Sequence, residues 1–188
     1  MRRLHIVILF LIIFINLKAQ ENEEFKSWKD RIFFGGNIGL SFGSVTDIEI
    51  SPIVGYNITQ RWAMGTGFMY EYYKRNEFNI ETHIYGGSIF TRFTLFPNFS
   101  MYFPVGEGLS MFAHTEYQGL SLEEKYFKTS VDINERTGRY ILHSFLIGGG
   151  LTQKLGRRGG FNITVLWNLN YTEDSPYNNP VIRVGFIF

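Results

Sequence analysis

From Arg31 onward the chain alternates large apolar residues with small or polar ones at a period of two, broken at intervals by turn-forming residues. No stretch sustains a helical period. The pattern predicts eight strands. The first spans about Arg31 to Phe42, with Ile32, Phe34, Ile38, Leu40 and Phe42 on one face and Asn37, Gly39 and Ser41 on the other. The second, Thr46 to Ile58, sets Ile48, Ile50, Val54, Tyr56 and Ile58 against Asp47, Glu49, Ser51 and Asn57. The third, Trp62 to Tyr73, sets Trp62, Met64, Phe68, Tyr70 and Tyr72 against Ala63, Gly65, Gly67 and Glu71. His83 to Leu95 and Leu109 to Leu120 continue the alternation. Tyr140 to Leu155 does so with Leu142 and Leu146 out of phase. A seventh strand runs from Phe161 to Tyr171, and the last carries Ile182, Val184, Phe186 and Phe188 on its apolar side.

Strands of about ten residues match the length of a tilted membrane β-strand, and eight is the smallest usual count for such barrels. Hydrocarbon offers nothing to an open sheet edge, so a membrane sheet must close. The links alternate in the same sense. Thr59-Gln60-Arg61 and Gly156 to Gly160 are tight, whereas the links after strands three, five and seven are longer and polar, Glu123 to Arg139 being the longest. Gly43 to Val45 is short for an outer loop, and Phe96 to Gly108 is long for an inner one. The expected fold class is therefore an all-β, eight-stranded antiparallel up-and-down transmembrane barrel. A soluble ligand-holding barrel would reverse the face chemistry, placing its apolar residues inside and its charges outside. Here the second face carries Gly, Ser, Thr and Asn beside single charges, which suits a narrow lumen.

The N-terminus adds a compartment. Arg2-Arg3, the apolar stretch Leu4 to Ile15 and Ala19 before Gln20 read as a secretory signal peptide, too short to span a bilayer. The expected organisation is a signal peptide over 1–19, a polar periplasmic lead-in over 20–30 and a barrel over 31–188. Cleavage after Ala19 removes Arg2, Arg3 and Lys18 and no acid, so the formal charge moves from +1 to −2.

Composition removes several function classes. The chain has 188 residues, one domain's worth, and no Cys, so disulfide scaffolds, thiolate metal sites and a lipidated N-terminal cysteine are excluded. With 19 Phe, 11 Tyr and 3 Trp it carries too much apolar surface for a disordered chain. A balance near neutrality offers no basic field for nucleic acid.

These residues resemble the small outer-membrane β-barrel family of the OmpA/OmpX type from Gram-negative bacteria, over about Phe33 to Phe188. The most specific stretch is Pro52-Ile53-Val54-Gly55-Tyr56 followed by Trp62-Ala63-Met64-Gly65-Thr66-Gly67, similar to that family's descending strand, tight turn and Gly-rich ascending strand. The resemblance implies an outer-membrane location with both termini periplasmic and insertion by the barrel assembly machinery. It also implies an assembly signal in the last strand, carried by Phe186 and Phe188. Arg183 departs from it, standing where a small residue is common. Pro52 cannot donate to a ladder, so a local bulge is expected there.

Candidate chemistry is sparse. His83, His114 and His143 survive processing without a partner at metal or triad spacing. His83 reads as a loop-edge residue and His114 as a lumen residue bonded across the barrel. His143-Ser144 invites a lipid-hydrolase reading, but neighbours on a strand point to opposite faces. Gly148-Gly149-Gly150 precedes no helix and is no phosphate cradle. No catalytic residue, cofactor or metal is therefore expected, and the chain reads as a non-enzyme. The sharper feature is a set of inward charges, Asp47, Glu49, Glu71, Arg92, Glu116, Lys154 and Arg183. Strand directions put Arg92 and Lys154 at the inner end and the rest in the outer half. In a lumen only wide enough for side chains such charges must pair, giving a plugged barrel. Trp62, Tyr70, Tyr72, Trp167 and Tyr171 sit toward strand ends, as an interfacial aromatic girdle does. The expected role is structural or surface-interacting, with lipid around the barrel and a protein partner at the outer loops. A narrow pore and a lipid hydrolase are the alternatives.

Overall fold

The computed structural model describes residues 27–41, 45–75, 80–101, 107–127, 138–156, 159–172, 174–177 and 179–188. The expected signal peptide and most of the lead-in lie outside the described residues. The chain divides into two units, Met1–Arg31 and Ile32–Phe188. Of the first, a 3-10 turn at Trp28–Arg31 is described.

The second unit is a closed, antiparallel, up-and-down β-barrel whose eight strands pair in chain order. They are β1 (Ile32–Ser41), β2 (Val45–Asn57), β3 (Trp62–Arg75), β4 (Ile80–Phe96), β5 (Leu109–Glu123), β6 (Arg139–Leu155), β7 (Gly159–Asn168) and β8 (Val181–Ile187). The fold class expected from the alternation is the one observed. A single helical turn, α1 (Glu124–Phe127), follows β5. The start of β1 and the end of β8 share one end of the barrel, here called the terminal end, with the links β2–β3, β4–β5 and β6–β7. The other end is the loop end.

Alternation sorts the two faces almost residue by residue. Phe34, Ile38, Ile50, Met64, Phe68, Ile89, Phe145, Ile163, Ile182 and Phe186 point outward and remain exposed. Along β5, Phe112, His114, Glu116, Gln118, Leu120 and Leu122 point into the lumen and are all buried. Leu146 is in phase after all: it is a lumen residue, 2% exposed, on the same face as buried Ser144. Pro52 makes no bulge, which corrects the sequence expectation. β1 pairs through Gly36↔Pro52 without a break, while the β2–β3 ladder is interrupted between Ile50↔Tyr70 and Ile53↔Gly67 and resumes in the same register. The strand tolerates its missing donor by losing local pairing on one side only. The register shift lies instead in β4, between Thr94 and Phe96 against β5.

A pairing of ring and glycine recurs on the lumen face. Phe33 is the register partner of Gly55, Phe90 of Gly65 and Phe112 of Gly150. At Gly55 the Phe33 ring lies where a Cβ would be, and at Gly65 and Gly150 the Phe90 and Phe112 rings share that place with the backbone carbonyls of Val54 and Ile163. Each strand's bulk thus uses space left empty on the next. Phe33, Ala63 and Phe90, with Ile53 and Ile187 packed on them, form an apolar cluster toward the terminal end. A second cluster toward the loop end joins Met69, Ile84, Leu120 and Leu122, with Tyr73, Phe127, Tyr140, Leu142 and Tyr177 against it.

Glycine also serves geometry at two turns, where Gly108 (φ +78°) enters β5 and Gly156 (φ +69°) leaves β6, a backbone region costly for other residues. At the β2–β3 turn, Thr59 Oγ1 accepts from the N–H groups of Arg61 (3.2 Å) and Trp62 (3.0 Å).

Gly55→Ala should destabilise the barrel by about 1–3 kcal/mol in urea unfolding, because the three atoms nearest the new methyl all belong to the Phe33 ring. Phe33→Leu in the same chain should recover part of that loss. Additive losses would show that the ring and the glycine do not share one space.

Candidate functional site

Between the two apolar clusters lies a polar layer built from strand-borne side chains. Arg183 Nη1 of β8 donates to both carboxylate oxygens of Glu116 of β5, at 3.0 and 2.9 Å. Both side chains are buried, at 9% and 5% exposed. Glu116 is held from its own strand as well, since His114 Nε2 lies 3.1 Å from Oε2. Because a carboxylate only accepts, Nε2 carries the proton. The His114 ring stacks on Phe90 at 5.4 Å and meets Phe112 edge-on. Its bond partner is thus two residues away on β5, not across the barrel as expected. Arg92, directly opposite His114 in the β4–β5 register, lies 4.0 Å above the Phe112 ring, a cation–π contact rather than an ion pair.

Glu49 and Glu71 face each other as register partners of β2 and β3, an arrangement of like charges that is unfavourable unless each gains donors. Ser51 Oγ donates to Glu49, and the hydroxyl of Tyr177 donates to Glu71. Arg183 also lies within electrostatic reach of Glu49. Gln118 completes the layer on the loop side through a bond to Met69 Sδ at 3.2 Å. On β7, Asn168 Nδ2 donates to Ser144 Oγ at 3.2 Å.

The charges named from sequence therefore separate into groups. Glu116, Arg183, Glu49 and Glu71 gather in the polar layer, and Arg92 adjoins it on the terminal-end side. Lys154 does not join them. It is exposed at the end of β6, held there by its backbone N–H on Gly108 O at 3.0 Å. The side chain of Asp47 lies outside the described residues.

Tyr177 is the functional residue that sequence reasoning missed. It comes from the β7–β8 link, where no alternation marks a facing, and enters the lumen to reach Glu71 and the loop-end cluster. Two asparagines hold its link in place by imitating strand backbone. Asn170 Nδ2 donates to His143 O and its Oδ1 accepts from Phe145 N, both at 2.7 Å. Asn179 Oδ1 accepts from Asn168 N at 2.8 Å while its Nδ2 donates to Asn168 O at 3.0 Å. These amides end β7 at Asn168, so Tyr171 lies in the link and not on a strand. The polar Asn170 and Asn179 carried the only sequence signal, and composition alone could not assign it.

The remaining expected residues take outward positions. Trp62 Nε1 donates to Thr91 Oγ1 at 2.7 Å near the terminal end. Tyr70 pairs with His83 Nδ1 at 2.9 Å, and Tyr72 donates to Glu81 at 2.9 Å, both near the loop end. Trp167 is 51% exposed. His83 is thus a β4 residue rather than a loop-edge one. His143 faces outward, bonded to the Tyr117 hydroxyl at 2.7 Å, while adjacent Ser144 faces the lumen, so the two do not converge. Beside these, Arg139 caps the loop end of β4–β6. Its guanidinium lies 4.4 Å over the Tyr85 ring and donates to His83 O, Ser121 O and Glu123.

No protein-family model matches this sequence, and no curated protein does either.

Arg183→Met should cost about 3–5 kcal/mol in urea unfolding, since it strands the Glu116 carboxylate among apolar rings. Glu116→Gln should recover part of this in the double variant, and Glu71→Gln should not. Equal rescue by both carboxamides would mean that the charges act as one diffuse set. Tyr177→Phe should cost about 1.5–3 kcal/mol, the worth of a hydrogen bond to a charged group.

Proposed function

We propose that this chain is an outer-membrane β-barrel of a Gram-negative cell, of the OmpA/OmpX kind, with both termini in the periplasm. Its lumen is filled, and it acts through the loop end as a structural or surface-interacting protein. One observation carries this reading: the outward face is a nearly continuous band of exposed large apolar residues, while Glu71, Glu116 and Arg183 are buried inside between two apolar clusters. A barrel dissolved in water would have the reverse arrangement. The outward Tyr and Trp near both ends of the strands suit the two interfaces of a bilayer.

On this reading lipid surrounds the barrel, the assembly machinery inserts it by its last strand with Phe186 and Phe188, and a protein partner meets the loops. The lumen works as a brace rather than a path. The separation of His143 from Ser144 removes the geometric ground for a lipid hydrolase, and the chain is read as a non-enzyme without a cofactor.

Ile89, outward near the middle of β4 and 63% exposed, gives the direct test. Ile89→Arg should cost roughly 2–4 kcal/mol for folding into liposomes if it faces the bilayer midplane. A neutral substitution would sink the membrane reading. In planar bilayers the unmodified protein should give no stable open channel, and a steady large conductance would favour the pore instead.

A further inference from the structure

The barrel closes on itself over a short seam. Phe34 and Phe188 exchange both backbone bonds, at 3.1 and 2.7 Å. Pairing continues through Gly35↔Ile187, Gly36↔Phe186 and Asn37↔Gly185, and there it stops. Yet β1 runs on to Ser41 and β8 begins at Val181. The same register would set Ile38, Gly39, Leu40 and Ser41 against Val184, Arg183, Ile182 and Val181, and none of these pairs forms among the described residues.

Hydrogen-bonded pairs alternate along an antiparallel ladder. Since Phe34 and Phe188 are such a pair, the N–H and C=O groups of Leu40 and Ile182 turn toward the seam and lack a ladder partner there. At this height β8 is engaged by two contacts on its other sides. Arg183 is drawn across the lumen to Glu116, and Asn179 ties the start of β8 to Asn168 of β7. Ile38, Ile182 and Val184 flank this unpaired stretch on the outside, all exposed. On the inside, Gly39 contributes no side chain, and the buried Nε of Arg183 has no hydrogen-bond partner.

In hydrocarbon each unpaired peptide group costs several kcal/mol, and an acyl chain has nothing to offer it. The occupant must therefore carry hydrogen-bond donors and acceptors, and an extended peptide is the group that matches them at strand spacing. We propose that the loop-end half of the β1–β8 seam is a docking edge for an extended segment of another membrane polypeptide. That segment adds strand-type bonds to Leu40 and Ile182, turns apolar side chains outward and sets an amide or carboxylate acceptor toward Arg183 Nε. The proposal rests on the membrane reading above.

The absence of native Cys makes the test clean. The full-length chain is folded into phosphatidylcholine–phosphatidylglycerol vesicles, and insertion is checked by protection from protease. Under mild oxidation the pair Phe34→Cys with Phe188→Cys should cross-link roughly tenfold faster than Leu40→Cys with Ile182→Cys, positions that are not paired. A synthetic peptide copying Val181–Ile187, with cysteine in place of Ile182, should cross-link to the single variant Leu40→Cys and not to Phe34→Cys. Equal rates for the two double variants would mean that the seam closes by itself and would overturn the proposal, as would a peptide without preference for position 40. Failure to insert into the vesicles would instead overturn the membrane reading, and the docking edge with it.

Discussion

Eight strands closed into a barrel leave an interior only wide enough for side chains, and most of this protein's internal chemistry follows from that limit. Every lumen residue competes with those on neighbouring strands for one narrow column of space. The pairings Phe33 with Gly55, Phe90 with Gly65 and Phe112 with Gly150 resolve the competition by giving a ring the volume that a glycine leaves. Larger residues on both sides would overpack the column, and glycine on both sides would leave a void.

The polar layer is held under the same limit. Arg183 and Glu116 are enclosed by apolar clusters above and below, so neither can rely on water, and geometry has to compensate desolvation. Both oxygens of Glu116 are used, and His114 is fixed by Phe90 and Phe112 in a position to bond it. Glu49 and Glu71 tolerate their mutual repulsion because hydroxyls from Ser51 and Tyr177 donate to them. A buried ionic set of this kind adds little net stability over apolar residues of the same volume, while removal of one member is costly.

Side-chain amides do the work of backbone where the sheet ends. Asn170 and Asn179 each supply a donor and an acceptor in the place of a peptide group, and together they fold the β7–β8 link inward far enough for Tyr177 to enter the lumen. The same anchoring draws the start of β8 toward β7. The cohesion of the loop end and the short β1–β8 seam thus have a common origin.

The sequence alone determined the strand count, the up-and-down order and the facing of most residues, because a period of two is a local property that needs no partner to be read. It also marked Glu49, Glu71, Glu116 and Arg183 as inward charges, since facing follows from alternation. Which of them touch was decided by tertiary structure. Partnership depends on register and on reach across the lumen, and neither is encoded within one strand. For that reason Arg92 met a ring instead of a carboxylate, Lys154 stayed at the rim, and Pro52 passed without a bulge. Tyr177 was illegible for a related reason. A residue in a link has no period to give it a direction, and its place inside the barrel was set by two asparagines bonding to strands it does not belong to.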